Sequence, residues 1–82
     1  MSFPVLKMGS RGEPVQRWQK FLLAQGVDLD PESSALDGIF GAGTNAGTRE
    51  YQSKKDLTPS GVVDSETYNQ ALKDRFEDGF IG

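Results

Sequence analysis

Two short stretches limit the possible folds of this chain more than any other feature. LDGIFGAGT, Leu36 to Thr44, and PSGVVDSET, Pro59 to Thr67, superimpose at an offset of 23 residues. The overlay sets Asp37 on Ser60, Gly38 on Gly61, Ile39 on Val62 and Thr44 on Thr67. Asp-Gly is a strong turn pair, because Gly accepts a positive φ and Asp can bond its own backbone. Ile39 and Phe40 are then expected to dip toward a core, Gly41 to let the chain turn again, and Thr44 to cap a helix. The product is a rigid hook pinned by buried apolar side chains, with backbone amides and carbonyls near the surface. In the second hook Asp64 stands where Gly41 stands in the first.

Helix signals surround the hooks. A first helix starts around Gly12–Pro14, where proline costs nothing because first-turn amides lack intrahelical partners. Glu13 adds a negative charge at the positive end of the dipole. Val15, Trp18 and Leu22, broadened by Phe21, form the apolar stripe, and Gly26 is the left-handed stop. A second helix runs from Thr44 to about Lys55, with Ala46 and Tyr51 as inward candidates. Gly47 in its middle costs ~1 kcal/mol relative to Ala and marks the close approach of another backbone. A third is capped by Asp64 or Ser65 and carries Tyr68, Ala71, Leu72 and Phe76 on one face. The N-terminal FPVL reads as an extended arm, Val27–Ala35 as a polar loop, and the tail after Phe76 as loosely ordered, with Phe80 and Ile81 able to fold back. The expected fold is all-α: one domain over residues 1–82, a compact three-helix bundle with two Gly-rich turns preceding helices two and three.

Composition removes several function classes. At 82 residues a single core is only marginally sufficient. With neither cysteine nor histidine, the usual zinc sites and the Ser-His and Cys-His catalytic arrangements are excluded. A net charge of -3 with scattered basic residues counts against nucleic acid. No apolar run approaches the ~18 residues of a membrane span, and the N-terminus lacks the apolar region of a secretory signal. The chain is therefore expected either to leave the cytoplasm by another route or to be a piece of a longer protein.

The order of the parts carries a resemblance. Leu6, Gly9, Gly12 and Val15 come first, followed by Trp18-Gln19. Asp37, Gly38, Phe40, Gly41 and Thr44 follow, then Tyr51-Gln52, and finally Gly61, Val63 and Thr67. This series, from about Leu6 to Leu72, resembles the peptidoglycan-binding domain 1 family, three-helix modules found beside bacterial and phage cell-wall hydrolases. Trp18 in place of the usual Leu, Gly47 and Thr48 in place of better helix formers, and Asp56 in place of a helix-ending Gly depart from its pattern. The resemblance implies non-covalent recognition of peptidoglycan at the bacterial cell envelope, with chemistry left to a hydrolase domain in cis or trans. No cofactor, metal, nucleic acid or membrane insertion is expected, and the chain is expected to be a monomer.

A helix N-terminus beside glycine turns suits the carboxylates and amides of peptide stems. The candidate ligand-binding residues are Asp37, Gly38, Phe40, Gly41, Thr44, Arg49, Tyr51 and Gln52. For Asp37, Phe40, Thr44, Tyr51 and Gln52, and for Gln19 beside them, a structural role is expected ahead of direct contact. Asp37 closes its turn, Phe40 plugs the core, Thr44 caps, Tyr51 is half buried, and Gln19 and Gln52 tie loops to helices. Four other readings compete with this one. A catalytic carboxylate pair has little room in such a bundle. A calcium loop at Asp28, Asp30 and Glu32 fails because Ser33 replaces the required Gly and Ile39 the required Glu. A recognition helix opening on Asp64, Ser65 and Glu66 would repel phosphates. A protein–protein adaptor on the same scaffold is the remaining alternative.

Overall fold

The computed structural model describes residues 3–27, 29 and 36–76. The expectations for Asp28, Asp30, Glu32, Phe80 and Ile81 lie outside the described residues. Three helices follow one another: α1 over Glu13–Ala24, α2 over Ala42–Lys54 and α3 over Ser65–Lys73. Among the described residues extended pairing is confined to two isolated antiparallel bridges, Leu6 with Val63 and Arg11 with Ile39.

The first helix forms as its sequence dictates. Pro14 sits in its first turn, and Val15, Trp18, Phe21 and Leu22 are buried together with Gln19. It ends on Gly26 at φ 81. The Val27 N–H reaches back to the Leu22 carbonyl at 3.0 Å and the Gly26 N–H to Leu23 at 3.0 Å. These two bonds are the Schellman closure that a left-handed residue allows.

The second helix departs from expectation at its start and on its inner face. It begins at Ala42, capped by the extended backbone of Gly41 (φ -106, ψ -162). The Gly41 carbonyl accepts from the Asn45 N–H at 2.9 Å. Thr44 is thus already inside the helix and is not its cap. Gly41 needs no glycine freedom there, since any residue adopts that φ. Ala46 is exposed, and the inward face is instead Thr44, Gly47, Thr48, Tyr51 and Gln52. Gly47 does mark a close approach, but of side chains: a Cβ there would meet Leu29 Cδ2 at 2.5 Å and Val27 Cγ1 at 3.2 Å. Val27 and Leu29, read as part of a polar loop, are therefore core residues. The helix closes through Asp56 at φ 60, with Leu57 N–H bonded to the Gln52 carbonyl at 2.8 Å.

The third helix opens on Asp64, whose Oδ1 accepts from the Thr67 N–H at 3.2 Å. Tyr68, Ala71 and Phe76 are buried as expected, whereas Leu72 is 39% exposed. At the centre of the core Trp18 touches the rings of Phe21, Tyr51, Tyr68 and Phe76 at centroid distances of 5.2–6.0 Å. Its indole N–H donates to Thr48 Oγ1 at 3.0 Å, so a buried donor is satisfied. The N-terminal arm is extended, as its sequence suggests. Phe3 stacks on Tyr68 at 4.8 Å, the Tyr68 hydroxyl donates to the Pro4 carbonyl at 2.6 Å, and Leu6 and Val63 exchange backbone hydrogen bonds at 3.1 and 2.8 Å.

Candidate functional site

Each hook is fastened by one buried glutamine from the preceding helix. At the first, Gln19 Oε1 accepts from the Gly38 N–H at 3.0 Å. Its Nε2 donates to the Ile39 carbonyl at 3.1 Å, to Thr44 Oγ1 at 2.9 Å and to Asp37 Oδ1 at 3.1 Å. At the second, Gln52 Oε1 accepts from the Gly61 N–H at 2.9 Å. Its Nε2 donates to the Val62 carbonyl at 2.9 Å and to Thr67 Oγ1 at 3.0 Å. The bonded partners map onto each other at the same 23-residue offset read from the sequence, while the two glutamines stand 33 residues apart. Asp37 and Ser60 also correspond: Asp37 Oδ1 accepts from the Ile39 N–H at 2.9 Å, and Ser60 Oγ from the Val62 N–H at 3.1 Å. A carboxamide has both a donor and an acceptor on one rigid plane, so it can bind an N–H and a C=O of the same turn.

The polar groups of the first hook are largely spent on the protein itself. The Gly38 carbonyl accepts from the Gly12 N–H at 2.8 Å, the Phe40 N–H donates to Ser10 at 2.9 Å, and the Phe40 carbonyl accepts from Gly9 at 3.0 Å. The expectation that the hook leaves its backbone groups near the surface is therefore corrected. Ile39 does not dip inward either. It is 42% exposed, and Phe40 alone is the plug.

The residues nominated from sequence divide by burial. Phe40, Tyr51 and Gln52 are each about 1% exposed and Thr44 is buried with them, so they hold the frame and turn no side chain to solvent. Tyr51 is not half buried. Its hydroxyl donates to Asp74 Oδ2 at 2.6 Å, and burial, with that carboxylate beside it, pushes its pKa well above the ordinary tyrosine range. Gly38 is buried under Gly12. Asp37 and Arg49 remain exposed and Gly41 partly so. The Asp37 carboxyl is held below its ordinary value by the Ile39 N–H first and Gln19 second, against slight desolvation, so it is an anion at neutral pH.

Sequence reasoning missed Asn45. It lies one helical turn before Arg49 on α2, and both side chains sit against Gly61 of the second hook. The i, i+4 spacing from Gly41 through Asn45 to Arg49 was the available signal, since such residues share a helix face. The result is a polar strip along α2 from one hook to the other. Among the described residues no group of three acidic or other metal-ligating side chains could hold a metal, and no helix is long and apolar enough to cross a membrane.

The chain matches the family described as "Putative peptidoglycan binding domain" over residues 11–70. No curated protein matches it. Among solved structures it is similar to the SleB N-terminal domain, with a TM-score of 0.78 and 30% identity over 90% of this chain and 96% of that one. It is also similar to a Burkholderia AP3 phage endolysin, with a TM-score of 0.76 and 28% identity. That match covers 88% of this chain but only 26% of the endolysin. A peptidoglycan-binding protein from Clostridioides difficile, solved in complex with glutamine hydroxamate, shares the fold at a TM-score of 0.74 and 23% identity, over 84% of this chain and 40% of that one.

Proposed function

The chain belongs to the peptidoglycan-binding domain family, and on that premise we propose that it is a non-catalytic docking module for the bacterial cell-wall polymer. It grips peptide stems along the α2 strip and brings a cell-wall-active partner to its substrate. The observation that carries this reading is the family match across residues 11–70, which contains both hooks and both glutamine fasteners. The physical reason is pre-organisation. Hooks tied by buried hydrogen bonds cannot collapse when a ligand strips away water, so little ordering entropy is lost on binding. Asp37, Gly41 and Arg49 supply the solvent-facing part of the surface. Gly38, Phe40, Thr44, Tyr51 and Gln52 fix its shape from beneath. Similarity to part of an endolysin supports a hydrolase as the partner served.

Cosedimentation with purified insoluble peptidoglycan tests this, with wild type and Gly41→Val compared. The Gly41 backbone is extended and a Cβ there meets nothing within 4 Å. The valine therefore adds bulk at the end of the strip without unfolding the chain. Wild type is expected to pellet with the polymer and the variant several-fold less, at unchanged circular dichroism. A folded wild type that stays in the supernatant would overturn the assignment in favour of a protein–protein adaptor.

A further inference from the structure

The two hooks are alike in their fasteners and unlike in their cover. At the first, the chain lays its own peptide over the glycine: the Gly12 N–H bonds the Gly38 carbonyl at 2.8 Å. The Gly12 oxygen lies 3.2 Å from where a Gly38 Cβ would stand. At the second, Leu6 pairs with Val63, the counterpart of Phe40, and the pairing stops there. Among the described residues no N–H donates to the Gly61 carbonyl, the counterpart of Gly38. In place of a Gly12 peptide, the side chains of Asn45 and Arg49 lie over Gly61. A Cβ on Gly61 would collide with Asn45 Oδ1 and stand 3.2 Å from Arg49 Nε. Neither side chain has a hydrogen-bond or ion-pair partner among the described residues.

We propose that Gly61, Asn45 and Arg49 form a seat for the carboxylate end of a short peptide. A ligand amide N–H takes the Gly61 carbonyl, as the Gly12 N–H takes Gly38. The adjoining carboxylate takes the Arg49 guanidinium, whose planar fork of N–H donors matches two carboxylate oxygens. The Asn45 carboxamide, which occupies the place of the Gly12 oxygen, swings aside and bonds the ligand backbone. The geometry is borrowed from the chain's own hook, where a peptide already sits in this way. The inference rests on the wall-binding reading, because peptide stems supply amides beside free carboxylates.

Amide NMR titration decides it, using a soluble muramyl peptide with a free C-terminal carboxylate and the same peptide amidated. Wild type and Arg49→Gln are compared, with insoluble peptidoglycan cosedimented in parallel. The free acid is expected to shift Asn45, Arg49 and Ser60–Val62 more than Asp37–Gly41. Arg49→Gln should weaken the free acid about tenfold, the scale of one charge-assisted contact, and leave the amide little changed. Shifts confined to Asp37–Gly41, or equal affinities of the two proteins for the free acid, overturn the seat while sedimentation with the polymer keeps the wall reading. No response to either peptide with continued sedimentation also overturns the seat alone. Loss of both binding signals in folded wild type overturns seat and wall reading together.

Discussion

Gln19 and Gln52 are the residues on which the hooks depend. Each is about 1% exposed and serves a buried N–H, a carbonyl and a threonine hydroxyl at once. Replacing one with leucine keeps the volume and removes every one of those partners, so desolvated groups are left unpaired. Gln52→Leu is expected to destabilise the fold by about 3 kcal/mol, seen as a lower urea midpoint at unchanged slope. Much of this was legible: two glutamines, each after an aromatic, suggested ties between loops and helices. Thr44 was not, because a threonine ahead of a helical pattern reads equally as a cap or as an inward hydroxyl. Only the placement of the Gln19 amide separates the two. Burial of Phe40 was legible and exposure of Ile39 was not, since both are apolar neighbours between glycines.

Among the elements, α1 and α3 were readable because apolar residues line the buried face. Leu72 alone missed, sitting at the edge of that stripe. The inner face of α2 is Thr44, Gly47, Thr48, Tyr51 and Gln52, and a search for apolar periodicity passes over four of those five. What holds α2 is polar satisfaction and the fit of Leu29 and Val27 against Gly47. Its end was legible, as Asp56 does occupy the left-handed position in place of a glycine. That conformation strains any residue with a Cβ. Asp56→Gly is expected to stabilise the domain by ~0.5–1 kcal/mol, raising the midpoint of a thermal melt by a few degrees.

For the whole molecule, α2 and α3 are joined by the Asp74 carboxylate, which takes the Tyr51 hydroxyl at 2.6 Å, Gln70 at 3.3 Å and the Lys55 ammonium at 3.4 Å. Burial pushes its pKa up, but the Tyr51 hydrogen bond, then Gln70 and Lys55, outweigh this and hold it below 3.8. The folded chain therefore binds that proton less readily than the unfolded one. Its contribution is intact above the ordinary carboxyl value and fades as pH falls through the lowered one. Asp74→Asn should lower the melting midpoint at pH 7 and lose most of that difference near pH 2, which melts at the two pH values will show. The tie between Tyr51 and Asp74 could not be read from the sequence, because 23 residues separate the partners and no local pattern joins them. Phe3 lies against both Tyr68 and Phe76, with ring centroids 4.8 and 5.6 Å apart, so the two extremes of the described chain meet at one corner. Under tension applied at those extremes, the molecule would be loaded like a zipper rather than in shear. The Phe3–Pro4 segment would peel away first, and the pull would then reach the Leu6–Val63 pair at the second hook before the Gly9, Ser10 and Gly12 bonds at the first.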